Sequence, residues 1–223
     1  MTTFIAVQNT YQKLELALFA NSRIIGKCST GNQEASKEFI PLLSSILKQN
    51  KIALQEFSFI VANQGPGPFS TLRVVISSVN GISFASTIPL IGIDGLNAFI
   101  QQYNNPDYPY TVVLLNAFNK DVYFAVQQPD KPIEKGYKKI DQLLDELTFI
   151  SLKKPIRFLG NGVQLYQDKI KKQFNENAYI PSPLPHNCSL EQIAQMGLQK
   201  WQKQEGIINQ LFPLYLKKHA SQQ

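Results

Sequence analysis

Gly65-Pro66-Gly67-Pro68-Phe69-Ser70-Thr71-Leu72-Arg73 decides how this 223-residue chain is read. Before it, Phe59-Ile60-Val61-Ala62-Asn63 is a short apolar run and reads as a buried strand. After it, Leu72 to Ala85 has helical spacing. Two glycines and two prolines between them make a stiff strand-to-helix turn. Glycine reaches backbone angles closed to other residues, and proline fixes φ. Such a turn can aim helix N-terminal amides at a phosphate. The Walker pattern, however, needs a lysine followed by Ser or Thr at the helix start. Neither that nor GxGxxG occurs here. A structural turn is therefore preferred over a phosphate site, with Ser70 expected as the N-cap of the helix.

Outward from this turn the elements fall into a repeating order. Thr3–Val7, Leu14–Phe19 and Arg23–Ser29 are extended runs with short polar links, which predicts an antiparallel meander. A helix over 34–49 follows, with Pro41 expected to kink it or delay its start. Next come the strand at 58–63, the turn, the helix at 70–86 and a short strand at Pro89–Gly92. Asp94 is placed to cap a brief helix over Leu96–Gln102. Asn104-Asn105-Pro106-Asp107-Tyr108-Pro109 is a linker by composition. Beyond it the order restarts. Tyr110–Leu115, Val122–Gln127 and Lys135–Ile140 are extended, a helix covers Asp141–Leu147, Arg157–Leu159 is a strand, and Val163–Gln173 is a helix. Leu190–Lys203 is a last helix. Both halves read strand, strand, strand, helix, strand, helix. That order predicts an α/β fold of two ribonuclease-H-like lobes, as in the actin, sugar-kinase and Hsp70 class. The expected lobes are 1–103 and 110–223, joined by 104–109.

Composition fits a folded chain, with 43% hydrophobic and 17% charged residues. No apolar stretch is long enough to span a bilayer, and the N-terminus reads as a strand rather than a signal peptide. Two distant cysteines, Cys28 and Cys188, suggest reduced thiols in a cytoplasm. The net charge of +6 is uneven: residues 1–110 hold seven basic and six acidic side chains, and residues 111–223 hold fifteen and ten. Lys131, Lys135, Lys138, Lys139, Lys153, Lys154, Arg157, Lys169, Lys171 and Lys172 supply most of the excess. An RNA-facing surface is one reading. A solvated basic face is preferred, because no arginine-aromatic groove for reading bases is visible in the sequence.

Enzymes of this fold place a carboxylate at the end of the first strand, to hold a metal or orient a water. Here Gln8 stands there, followed by Asn9 and Thr10. The equivalent second-half position is Asn116. An amide binds Mg²⁺ more weakly than a carboxylate and is no general base at neutral pH. Asp121 nearby reads as a hairpin residue. His186 and His219 form no metal motif, and there is no GxSxG elbow. No catalytic, cofactor-binding or metal-binding residue is therefore assigned. Surface remains. On the 70–86 helix, Ser77, Gly81 and Ala85 recur every four residues and would admit a close helix. Leu72, Val75, Ile76, Val79 and Ile82 form a wide apolar stripe, and the 34–49 helix carries Phe39, Leu43, Ile46 and Leu47. Part of this apolar surface is expected to face a partner, with internal core as the competing reading.

These motifs resemble the TsaB (YeaZ) family across nearly the whole chain. Residues Gly65 to Arg73 are similar to that family's GPGSFTGLR, with Gly65, Pro66, Gly67 and Arg73 matching. Asn116-Ala117 and Asp121-Val122-Tyr123 resemble its DAR…EVY. Phe39-Ile40-Pro41 with Ile46-Leu47 resembles LLP…LL, Ile88 to Gly92 resembles IPLVGV, and Pro213 to Lys217 resembles PLYLR. The chain departs from the family at Gln8-Asn9-Thr10 (DTS), at Ala35-Ser36-Lys37 (HSE) and at Asn116-Ala117-Phe118. The resemblance implies an accessory, non-catalytic subunit in making threonylcarbamoyladenosine in tRNA. It implies pairing with a TsaD-like catalytic paralogue through helices of the N-terminal lobe, here Phe39, Leu43, Ile46, Leu47, Leu72, Ile76, Val79 and Ile82. It also implies assembly with a TsaE-like ATPase, a homodimer when the partner is missing, indirect contact with tRNA, and no cofactor or membrane. The alternatives are a small-metabolite kinase or a glycoprotease-like peptidase of the same fold, and a direct tRNA binder using the basic second half.

Overall fold

Three extended runs open the chain as β1 (Thr3–Asn9), β2 (Lys13–Ala20) and β3 (Arg23–Gly31) in the computed structural model, which describes residues 1–151 and 154–217. They are followed by α1 (Ala35–Asn50), β4 (Phe59–Asn63), α2 (Phe69–Ser86), β5 (Leu90–Ile93) and α3 (Gly95–Gln102). β1 pairs antiparallel with β2 and parallel with β4, β2 pairs antiparallel with β3, and β4 pairs parallel with β5. Both faces of the central strands are covered, so β4 is buried at every residue. That is why it reads as an unbroken apolar run. Pro41 lies on the exposed side of α1, and the helix runs through it from Ala35, so the expected late start does not occur.

The second half repeats the plan with β6 (Thr111–Asn116), β7 (Asp121–Gln127), β8 (Glu134–Lys139), α4 (Ile140–Ser151), β9 (Ile156–Leu159), α5 (Asn161–Phe174) and a short β10 (Ala178–Tyr179). Its strand order, β10-β9-β6-β7-β8, matches β5-β4-β1-β2-β3 in the first sheet, with the same parallel and antiparallel pairings. The duplicated ribonuclease-H-like architecture is therefore present. Each repeat also leaves its fourth strand through a glycine at positive φ: Gly65 at +99° after β4, and Gly160 at +103° after β9. A Cβ at Gly65 would come within 2.7 Å of Leu72 Cδ2, and one at Gly160 would collide with the Leu114 carbonyl.

The chain ends with α6 (Leu190–Gln202) and β11 (Ile207–Ile208), and here the expected boundaries need correction. Residues 1–98 and 189–214 form one compact unit, and the described residues of 99–188 with 215–217 form the other. The assignment of 110–223 to one lobe fails because α6 packs on the first sheet. Gly197 brings α6 so near β4 that a Cβ there would lie 2.5 Å from Val61 Cγ2. Phe19, Phe4, Phe59 and Trp201 stack in sequence, with centroids 5.0, 4.5 and 5.0 Å apart. Lys200 Nζ donates to the Gly92 carbonyl at 3.0 Å, and β11 pairs antiparallel with β5. The other boundary falls inside α3, between Ala98 and Phe99, not at 103–104.

Candidate functional site

The motif turn is held at Gly65 by a side chain on one side and a second loop on the other. Asn63 Oδ1 accepts from the Gly65 amide at 2.9 Å, and the Gly65 carbonyl accepts from the Gly95 amide at 2.8 Å. A Cβ at Gly95 would lie 2.6 Å from Asn63 Oδ1, so three residues from two loops share one tight space. Asp94 Oδ1 accepts from the Leu96 and Asn97 amides and caps α3, as its position in the sequence implies. Ser70 is not the N-cap of α2: Pro68 holds that place, and the helix begins at Phe69. The Leu72 amide and the Thr71 hydroxyl both donate to the Pro68 carbonyl, at 3.0 and 3.3 Å. Gly65 and Pro66 are buried, whereas Arg73 is exposed, with its guanidinium 4.7 Å from the centroid of the Phe69 ring.

At the end of β1, Gln8, Asn9 and Thr10 are all buried. Asn9 Nδ2 donates to Thr71 Oγ1 at 2.9 Å, while its Oδ1 is buried without a hydrogen bond. Thr10 Oγ1 closes the β1–β2 turn by bonding with Gln12 and Lys13. The carboxylate across from Gln8 is Glu15 on β2, which the sequence reading passed over. It is buried, and its Oε1 lies 2.9 Å from Lys13 Nζ and 3.7 Å from Lys27 Nζ, so both flanking ammoniums already hold it.

The second half is similar. Asn116 Oδ1 accepts from the Phe118 amide at 2.8 Å, and the Asn116 amide donates to Asn161 Oδ1 at 3.0 Å. Asp121 opens β7 and is buried; it accepts from the Tyr137 hydroxyl and lies 3.6 Å from Lys217 Nζ. Burial, reinforced by the Asp121 hydrogen bond, pushes the Tyr137 pKa up, and the Tyr137 hydrogen bond pushes that of Lys217 up. The carbonyls of Pro185 and His186 accept from the Gly160 and Asn161 amides, so the Pro-rich loop itself closes the start of α5. His219 and Lys153 lie outside the described residues. Among the described residues, no three His, Cys, Asp or Glu side chains gather into a metal-binding group.

The residues proposed for the partner face need correction. Phe39, Leu43, Ile46, Leu72, Ile76 and Val79 are buried in the core of the first unit, and Leu47 and Ile82 are partly buried against it. Their spacing marks the inner stripes of α1 and α2, so no partner reaches the six buried ones in the folded chain. The outer face of α2 consists of Arg73, Ser77, Gly81, Phe84 and Ala85, all exposed. Phe84 is 91% exposed, and a Cβ added at Gly81 meets nothing within 4 Å. On α1, Ile40 and Pro41 are exposed beside Ser36, Lys37 and Ser44.

No helix among the described residues is long and apolar enough to cross a membrane. The chain matches the family model for TsaD, tRNA N6-adenosine threonylcarbamoyltransferase, over residues 30–221. It is similar to the tRNA threonylcarbamoyladenosine biosynthesis protein TsaB of Buchnera aphidicola subsp. Baizongia pistaciae, with 25% identity over 184 residues, 79% of this chain and 80% of that one. The TsaB of Bacillus subtilis is 22% identical over 227 residues, which cover 96% of this chain and 94% of that one. In three dimensions the chain is similar to a Pseudomonas aeruginosa protein described as having similarity to peptidase YeaZ. The TM-score is 0.75 at 20% identity, covering 97% of this chain and 100% of that one.

Proposed function

The chain belongs to the TsaD family and is a TsaB-type member of it, and from that premise we propose that it is a non-catalytic subunit in the synthesis of threonylcarbamoyladenosine in tRNA. One observation carries the non-catalytic part. Both strand-end positions where this fold keeps a carboxylate hold amides: Gln8 is fully buried, with the next residue, Asn9, tied to the Thr71 side chain, and Asn116 caps its own turn by accepting from the Phe118 amide. A group held this way neither positions a metal nor accepts a proton at neutral pH.

Its partner in this reading is a TsaD-like catalytic paralogue, seated on the outer faces of α1 and α2. Ser77, Gly81 and Ala85 offer a track of small side chains for a close helix, flanked by exposed Phe69 and Phe84. A second copy of the chain occupies the same face when the paralogue is missing, and a TsaE-like ATPase joins the pair. The site of action is the cytoplasm, where tRNA is modified. The kinase and peptidase readings have no comparable group to support them.

Reconstitution tests this. The purified chain alone is expected to show no ATP turnover, no peptidase activity and no modified adenosine on a tRNA transcript. Adding it to the TsaD-type transferase and the ATPase is expected to raise modification well above the level those two reach without it. Steady ATP hydrolysis by the chain alone, lost on substitution near Gln8, overturns the non-catalytic reading. Unchanged modification without the chain overturns the subunit role.

A further inference from the structure

The second unit assembles what its sequence keeps apart. Arg157 of β9 is nearly fully buried, yet it forms no ion pair with any described carboxylate. Its Nε and Nη2 donate to Thr111 Oγ1 at 3.2 and 3.0 Å, and Nη2 also donates to the Tyr103 carbonyl. Burial lowers its pKa from the usual arginine value. The guanidinium lies 5.2 Å from the centroid of the Tyr108 ring, and Tyr108 stacks on Tyr179 with centroids 4.4 Å apart and planes 8° from parallel. Arg157, Tyr108 and Tyr179 thus form one stack that ends on an exposed ring, with Tyr179 at the surface on the short edge strand β10.

We propose that the Arg157–Tyr108–Tyr179 stack is a platform for an unpaired nucleotide of RNA. Single-stranded nucleic acid is held by aromatic rings on which bases stack and by cations that track the phosphates. The ring face is here, and its orientation is fixed by the guanidinium and the neighbouring tyrosine rather than left to a mobile side chain. The cations are close along the chain. Lys171 and Lys172 lie in the last turn of α5, eight and seven residues before Tyr179, and Lys154 precedes β9, whose Arg157 sits beside Tyr179 in register. All three lysines are exposed and form no ion pair with a described residue, unlike Lys138 and Lys169, which pair with Glu146 and Asp141. Asp107 and Glu176 are the acidic residues nearest in sequence, so the local balance stays positive. A protein partner would be served by an apolar surface around Tyr179. Its immediate neighbours Ala178 and Ile180 are apolar but packed partly buried against the core, and residues 171 to 177 are polar or charged apart from buried Phe174, which favours RNA.

This platform deepens the proposed role in tRNA modification and rests on it for the identity of the RNA, but not for the chemistry of the site. The test uses the full chain, a fluorescently labelled unmodified tRNA transcript and anisotropy titrations at several salt concentrations. Tyr179→Ala changes a surface residue and is expected to weaken binding about five- to hundred-fold, the range for losing one base–aromatic stack. Tyr179→Trp is expected to retain it. Lys171→Gln with Lys172→Gln should weaken binding across RNA sequences and flatten the salt slope by about two. Ultraviolet crosslinking should place a nucleotide on the peptide that contains Tyr179. The proposal is overturned if the wild-type chain does not bind the transcript at low salt, or if Tyr179→Ala binds it as the wild type does. It is also overturned if Tyr179→Ala loses a protein partner while RNA binding persists. Gly81→Glu distinguishes this from the subunit reading: it is expected to abolish pairing with the paralogue while tRNA binding by the chain alone is kept.

Discussion

Asn9 Nδ2 donates to Thr71 Oγ1 across 2.9 Å, joining the end of β1 to the first turn of α2. One residue past Gln8, the strand end is thus braced by amide and hydroxyl side chains. The brace is asymmetric, because Asn9 Oδ1 is buried without a hydrogen bond. Thr71→Val removes the acceptor and leaves the buried amide with neither end satisfied, at a cost of about 1–3 kcal/mol. Asn9→Ala removes donor and orphan acceptor together, and the double variant should cost less than the sum of the two. Urea unfolding of the four proteins measures this directly; additive costs would show that the two side chains are not coupled.

Gly65→Ala is expected to be among the most damaging small changes in the first unit. Its φ of +99° is one that L residues rarely adopt, and the new methyl would lie 2.7 Å from Leu72 Cδ2. Backbone strain of this kind costs on the order of 1–3 kcal/mol before any repacking. Gly67→Ala is the control, since a Cβ there sits 3.8 Å from the Asn9 carbonyl, an ordinary contact. The melting temperature should fall clearly for the first and little for the second.

The sequence made the order of elements legible because strand and helix periods differ and the Gly-Pro turn separates them. It did not make the placement of α6 legible. That depends on Gly197 allowing β4 to approach and on Trp201 completing a stack whose other members come from three strands. Helical spacing likewise located Leu72, Ile76 and Val79 on one stripe, but a stripe carries no label for core or partner. The structure leaves the opposite stripe of Ser77, Gly81 and Ala85 exposed, and that orientation is set by the sheet on which α2 packs. Arg157 and its tyrosines were illegible for the same reason as α6: they lie at 108, 157 and 179, and it takes the β9–β10 register and the loop before β6 to bring them into a row.

Lys27 Nζ and Glu191 Oε1 are 2.8 Å apart and join β3 to α6. Burial pushes the Glu191 pKa up, but the Lys27 hydrogen bond and charge outweigh it, and the net shift is downward. Burial pulls Lys27 down, but its carboxylate partners outweigh that, and the net shift is upward. A depressed carboxylate stabilises the fold above its unfolded pKa of about 4.3 and loses that effect as pH falls through the folded value. A raised lysine stabilises below its unfolded pKa of about 10.4 and loses the effect as pH rises through the folded value. The pair therefore contributes across the neutral range and fades at both extremes. Both side chains are about half exposed, which limits the contribution to a few tenths of a kcal/mol. Glu191→Gln should lower the urea midpoint slightly at neutral pH and match the wild type at strongly acid pH. A deficit that persisted in acid would assign the effect to packing rather than charge.

Val79 and Gly81 stand two residues apart on α2 and face opposite ways, and this separates folding from assembly. Val79 is 0% exposed. Val79→Glu would bury an unpaired carboxylate at a cost of several kcal/mol, roughly, which is comparable to the whole stability of a domain. That variant is expected to unfold and to say nothing about a partner. Gly81 is exposed, and a side chain there meets no other atom of the chain. Replacing a mid-helix glycine also recovers about 0.5–1 kcal/mol of helix propensity. Gly81→Glu should therefore melt at or above the wild-type temperature while placing a charge in the small-residue track. If the outer face of α2 seats the paralogue, this variant stays folded and monomeric by sedimentation and fails to co-purify with the paralogue. Gly81→Ala, which keeps the track shallow, should retain most of the pairing. A folded Gly81→Glu that still binds the paralogue as the wild type does would move the interface off this helix.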